Sequence, residues 1–173
     1  MEGNVKKALG ALTMAIRVEQ NGYRFYRRAA EETEDPQGKA LFNRLAEDEV
    51  AHENIIRARL EALDREGTWM AVSDEEWPDE SPFTEGEPIF SRERLEQDVH
   101  DYTSELSALR MAYLIEKNAV VFYTKAARET EDPAGRAMYQ DLAEWERAHQ
   151  RVLEQEYRFL ASRFKLDMGF APF

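Results

Sequence analysis

Cysteine is missing altogether from the 173 residues. Its absence excludes disulfides, thiol redox chemistry, iron–sulfur clusters and Cys-based zinc sites, so any bound metal has to be held by Glu, Asp and His. Glycine and proline are scarce, eight and six, which leaves room for long helices. Basic residues are outnumbered, 23 Lys and Arg against 35 Asp and Glu. The resulting net charge of −12 argues against nucleic acid or an anionic membrane as partner, because both require clustered cations. No apolar run approaches about 18 residues and no apolar N-terminal stretch resembles a signal peptide, so the chain reads as cytoplasmic, with no transmembrane helix.

What is present is enough apolar residue, 43%, for one core and a single domain over 1–173. Within it the sequence repeats itself. Met14 to Ile56 realigns on Met111 to Leu153 without a gap, at the constant offset of 97 that separates Glu19 from Glu116. Roughly half of the aligned positions are identical, among them Glu19/Glu116, Glu49/Glu146 and His52/His149. Duplicated carboxylates and imidazoles at helical spacing are the material of a two-metal site.

Four amphipathic segments follow a 4-3 spacing of inward residues, which predicts an all-α bundle. The first runs Val5, Leu9, Leu12, Ile16, Glu19, Tyr23, Tyr26, Ala30, and the second Phe42, Leu45, Glu49, His52, Ile56, with Leu60 and Leu63 continuing the face. The third gives Tyr102, Leu106, Leu109, Tyr113, Glu116, Val120, Tyr123, Ala127, and the fourth Tyr139, Leu142, Glu146, His149, Leu153, Leu160. All six candidate ligands fall on these seams. Carboxylates there lose hydration and repel one another, so protons or cations must compensate them.

Each repeat predicts a helical hairpin. Asp35-Pro36 and Asp132-Pro133 place Asp at the N-cap and Pro at the first position of the returning helix. The midpoint between Glu19 and Glu49 is Glu34, and that between Glu116 and Glu146 is Glu131. Both midpoints lie in the hinge, so the two Glu of each hairpin face each other roughly 22 Å along the helices. The expected layout is hairpin one at about 4–66, a crossover at about 67–102, hairpin two at about 103–165 and an apolar tail at 166–173. The crossover holds Pro78, Pro82 and Pro88, an acidic run from Asp74 to Glu80 read as a solvated loop, and Ser91 as the cap of a short helix through His100. Its length suits a connection running along the bundle.

One Glu from each of two helices plus Glu-x-x-His from each of the others is the donor set of di-iron and di-manganese bundles. Glu and His at i and i+3 share a helical face, and oxygen donors with one imidazole per metal suit iron or manganese. Glu49 and Glu146 are assigned as bridges, Glu19 and Glu116 as terminal carboxylates, and His52 and His149 as one imidazole per metal. A single Glu-x-x-His occurs by chance on many charged helices, whereas two copies, each with a partner Glu equidistant across a hinge, are specific. The alternative is a purely structural polar layer. Tyr26 and Tyr123, two turns beyond Glu19 and Glu116, are candidates for hydrogen bonding beside the metals or for redox roles, against an ordinary place in the core. Trp145 reads as packing at a helix interface, and His100 as exposed.

The stretches Glu19-Gln20-Asn21-Gly22-Tyr23-Arg24-Phe25-Tyr26 and Leu45-Ala46-Glu47-Asp48-Glu49-Val50-Ala51-His52, with their copies around Glu116 and Glu146, resemble the rubrerythrin branch of the ferritin-like superfamily along essentially the whole chain. The resemblance implies a ferritin-like four-helix bundle of two repeated antiparallel hairpins, two iron ions (manganese as the alternative) on the six residues above, and reduction of hydrogen peroxide or oxygen. It also implies an external electron donor such as a rubredoxin-type protein, since the Cys-rich domain that often supplies electrons in that family is absent from this sequence. Rubrerythrins carry a further glutamate one turn from the terminal Glu of the third helix, where this chain has Tyr113 and Ala119, which makes its site closer to a symmetric six-ligand centre. The leading expectation is a di-iron peroxidase acting in oxidative stress. A ferroxidase or iron-handling protein is the second, a non-catalytic interaction bundle the third, and a homodimer the expected assembly.

Overall fold

The computed structural model describes residues 2–73, 76–78, 89–90 and 102–167. Four helices account for nearly all of them: α1 (Glu2–Glu32), α2 (Pro36–Glu66), α3 (Tyr102–Glu129) and α4 (Pro133–Asp167), with no strand among the described residues. The helices pair as α1 on α2 and α3 on α4, and α1 also packs on α3. This is the bundle of two antiparallel hairpins that the 4-3 spacing predicts. The short helix expected after Ser91, His100 and the apolar tail from Met168 lie outside the described residues.

The hinges form as their sequences require. Asp35 is extended and its carboxylate accepts from the backbone N–H groups of Gln37 and Gly38 at 2.9 and 2.8 Å. Asp132 does the same for Ala134 and Gly135 at 2.8 and 3.3 Å. Each Asp satisfies two N–H groups that a helix start leaves unpaired, while the proline behind it has no N–H to satisfy.

The core divides into two apolar clusters, one on each side of the buried polar layer. Leu12, Ile56, Leu63, Tyr123, Tyr139 and Leu142 anchor one, and Tyr26, Phe42, Leu45, Leu109, Leu153 and Leu160 the other. The repeat exchanges them: Leu12 corresponds to Leu109, Phe42 to Tyr139 and Leu63 to Leu160. Several inward assignments differ from the sequence reading, Tyr23 and Leu60 among them. Tyr23 is 38% exposed, because its neighbour Gly22 takes the buried place where α1 meets α2. At the end of α2, Arg59 is fully buried while Leu60 is only partly so, so the seam runs Ile56, Arg59, Leu63.

Arg59 explains the start of the crossover. Its guanidinium reaches both carboxylate oxygens of Glu76, at 2.5 and 2.6 Å, and the carbonyl of Ala71 at 2.7 Å. A bidentate pair of this kind offsets much of the desolvation cost of the buried cation. Glu76, read from the sequence as part of a solvated acidic run, is therefore an anchor. The end of the crossover is held at the repeat-equivalent position of α4, where buried Glu156 accepts from the N–H groups of Ile89 and Phe90 at 3.0 and 3.2 Å. Aromatic side chains complete the attachment. Phe90 lies against Gly38 and Trp69 against Gly135, and a Cβ on either glycine would come within 2.4 and 2.7 Å of the ring. These glycines are themselves repeat equivalents, so each hinge receives one end of the crossover.

Candidate metal centre

Between the two apolar clusters, four carboxylates and two imidazoles converge from all four helices. Glu19 comes from α1, Glu49 and His52 from α2, Glu116 from α3, and Glu146 and His149 from α4. None is more than 3% exposed. They form two overlapping donor sets, Glu19, Glu49, His52 and Glu146 in one, Glu49, Glu116, Glu146 and His149 in the other, with the ligand atoms of each set within 4.8 Å of one another. Glu49 and Glu146 belong to both sets. Each hairpin thus supplies three donors to its own set and lends one carboxylate to the other.

Both histidines turn Nδ1 toward the carboxylates. His52 Nδ1 lies 3.2 Å from Glu19 and 3.4 Å from Glu146, and His149 Nδ1 lies 3.3 Å from Glu146 and 3.6 Å from Glu116. The rings stack with centroids 5.9 Å apart. Outside them the symmetry fails. His149 Nε2 meets the buried carboxylate of Asp48 at 3.3 Å, while His52 is flanked by the rings of Trp145 and Trp77 at 5.8 and 6.3 Å. Trp145 therefore does pack between helices, and its edge also faces His149 at 6.3 Å.

The two tyrosines singled out by spacing reach across the hairpins. Tyr26 of α1 donates its hydroxyl hydrogen bond to Glu116 of α3, and Tyr123 of α3 donates to Glu19 of α1. This reciprocity makes α1 and α3 antiparallel neighbours. Tyr26 stacks on Phe42 and Tyr123 on Tyr139, so packing on the repeat-equivalent rings fixes both phenols. Burial, with the nearby carboxylates, pushes both hydroxyls well above the usual phenol range, which keeps them as donors.

Without a cation the layer shares protons among its own members. Burial and the charge of Glu146 raise the Glu49 carboxyl well above its ordinary range, and the same two causes hold Glu116 up at about 8. Burial works against charge on His52 too, but the nearby carboxylates of Glu146 and Glu19 outweigh it and raise the imidazole to about 9. Burial would likewise raise Glu146, yet the imidazoles of His149 and His52 close beside it drive it well below the carboxylate range. Glu146 is thereby held as an anion beside two imidazoliums, and protons are retained on Glu49 and Glu116.

Those internal contacts leave much of the layer without hydrogen-bond partners among the described residues. Both oxygens of Glu146, Oε2 of Glu19 and of Glu116, and Nδ1 of both histidines are buried and unsatisfied. Six buried oxygen and imidazole donors with orphaned atoms aimed at a shared centre fit a pair of iron or manganese ions. Residues 10–157 match the family model described as Rubrerythrin. The chain belongs to the rubrerythrin family.

A similar solved structure is that of a hypothetical protein from Pyrococcus furiosus, 26% identical, aligned over 90% of each chain with a TM-score of 0.64. No curated protein matches the chain. The fold of this rubrerythrin-family chain is the ferritin-like four-helix bundle, and the donor set lies inside the matched residues. Three features around it escaped sequence reasoning. Asp48 precedes a candidate ligand but has no acidic counterpart in the second repeat, and Trp77 comes from the aperiodic crossover. Gly22 is the third: a Cβ there would lie 2.7 Å from Glu49 Oε1, so the missing side chain makes room for that carboxylate. The offset of 97 carries a usable signal for Asp48 and Gly22, since both stand at repeat positions where their counterparts, Trp145 and Ala119, differ.

Proposed function

We propose that this protein is a di-iron carboxylate oxidoreductase that reduces hydrogen peroxide, or oxygen, with electrons from an external donor. The observation that supports this reading is the pair of overlapping donor sets with Glu49 and Glu146 in common. In it those two carboxylates would be held in common by both metals, while Glu19 with His52 and Glu116 with His149 would each serve one. Bound iron would supply the redox chemistry, one electron from each ferrous ion, so that peroxide with two protons leaves as two waters. Manganese suits the same donors.

The chain's own residues do the rest. Buried apolar clusters on both sides of the layer exclude bulk water, which strengthens every electrostatic interaction inside it. Tyr26 and Tyr123 hold Oε1 of Glu116 and Glu19, leaving the second oxygen of each free to face a metal. Protons resident on Glu49 and Glu116 leave when cations arrive, so binding exchanges one form of charge compensation for another. These 173 residues hold no cysteine with which to build an iron–sulfur relay, so in this reading electrons reach the bundle from an external donor such as a rubredoxin-type protein.

A ferroxidase or iron-handling role is the second reading, favoured by the near-symmetry of the six donors and by Ala119, which adds no further carboxylate beside Glu116. Anaerobic loading with ferrous iron followed by stopped-flow mixing separates the two. Oxidation much faster with peroxide than with oxygen supports the peroxidase. Oxygen-driven turnover with iron accumulating beyond the site supports iron handling. Failure of the protein to retain iron, with Glu49→Ala behaving like the unaltered chain, would sink both.

A further inference from the structure

The two halves of the centre are built from repeated sequence, yet the positions that orient their histidines are not alike. Position 48 of the first repeat is Asp, and its counterpart in the second is Trp145. Asp48 is buried, holds His149 Nε2 at 3.3 Å through Oδ2, and is itself held through Oδ1 by Arg44 Nε at 3.2 Å. On the other side the ring of Trp145 stands edge-on to His52 at 5.8 Å, and Trp77 from the crossover closes a second side at 6.3 Å. His52 Nε2 has no hydrogen-bond partner among the described residues. Indole offers a donor and no lone-pair acceptor, so neither tryptophan can receive the proton that Nε2 must carry when Nδ1 is a ligand.

We propose that the two metal positions are unequal, that the His149 position fills first and more tightly, and that Asp48 is the positioning residue that makes it so. The inference rests on reading the cluster as a metal centre. A carboxylate that accepts from the distal N–H of a ligating histidine fixes the tautomer and ring orientation and makes the ligating nitrogen more basic, and losing such a partner costs about 10-fold to 100-fold in affinity. His149 has that partner, and among the described residues His52 has none. Glu49 and Glu146 are common to both donor sets, and Glu19 and Glu116 are held alike by repeat-equivalent tyrosines, so the difference lies with the partners of the histidines. The His52 position is then the one that exchanges its ion, walled by two indoles.

Metal-free full-length protein is titrated anaerobically with cobalt(II), followed by calorimetry and by the visible ligand-field spectrum, with no turnover required. Two steps separated by about 10-fold or more are expected. His52→Ala keeps the tight step and loses the weak one, whereas His149→Ala does the reverse. Asp48→Asn weakens the tight step and leaves the weak one, closing the gap. Trp145→Asp, which installs the missing carboxylate beside His52, tightens the weak step and carries the test independently should Asp48→Asn melt below the titration temperature by circular dichroism. Two ions entering in a single step, or a tight step that survives in His149→Ala, overturns the inference while leaving the metal centre intact. No binding by the unaltered chain overturns the metal centre and the inference together.

Discussion

Gly22 and Ala119 occupy the same place in the two repeats, and the difference of one methyl decides where a carboxylate can lie. A Cβ at position 22 would approach Glu49 Oε1 to 2.7 Å, closer than real contacts allow. Gly22→Ala therefore displaces Glu49, and since Glu49 belongs to both donor sets, both metal positions suffer. In the metal-free protein the same change adds helix propensity worth about 1 kcal/mol. The expected result is an unusual pairing: metal affinity falls by an order of magnitude or more while the metal-free melting temperature holds or rises. Calorimetric titration and thermal melts in chelator check the two halves separately. Tyr26→Phe and Tyr123→Phe act in the opposite sense. Each leaves a buried carboxylate oxygen without its donor, which costs about 1–3 kcal/mol in urea unfolding of the metal-free chain. The tyrosines were visible in the sequence through their seven-residue spacing from Glu19 and Glu116, but the crossed pairing of each with the other hairpin's glutamate was not, because spacing within one helix says nothing of which neighbour it meets.

At the level of the helices, the ends of the crossover are fastened at Arg59 and Glu156, which are repeat equivalents of opposite charge. Glu76→Gln leaves the Arg59 cation buried and half-paired, at a cost of about 2 kcal/mol, since Glu76 is 39% exposed and water softens the loss. Arg59→Met removes the buried charge together with its demand for a partner, so it is expected to be near neutral in stability. Chemical denaturation of the two variants side by side distinguishes this from a plain contact-loss effect, in which Arg59→Met is the worse. Hydrogen bonding to Arg59 and to the Ser73 backbone lowers the Glu76 carboxyl from 4.5 to about 2. Its contribution is therefore present above about pH 4.5 and lost as pH falls toward 2. The helices and hinges were legible from the 4-3 spacing and from Asp-Pro. Continuing that spacing past Ile56 and Leu153 lands on Arg59 and Glu156, but a charged residue on a seam, of different sign in the two copies, reads as a break in the pattern until its crossover partner is known.

The molecule as a whole couples protonation, metal and stability. His52 is raised from 6.5 to about 9 and Glu116 from 4.5 to about 8, so the folded metal-free chain prefers to keep both protons. For His52 the added stability is complete below 6.5 and is lost as pH rises through 9; for Glu116 the loss begins above 4.5 and is complete beyond 8. The melting temperature of the metal-free protein is thus expected to fall steadily between about pH 5 and 9. Manganese(II) or anaerobic ferrous iron, which binds the deprotonated ligands, reverses that slope, and thermal melts across pH with chelator and with metal check both. Six donors could be read from one chain because duplication marked them twice, whereas the residues that distinguish the halves appear once each and needed the folded arrangement to acquire meaning. The crossover anchors extend that asymmetry to the order of the chain. Were hairpin two to come first, all six donors and both apolar clusters would survive, yet the connecting segment would leave beside Glu156 and bring Glu76 against an anion rather than Arg59. The centre is nearly indifferent to which half precedes the other; the direction of the polypeptide is written at the far ends of α2 and α4.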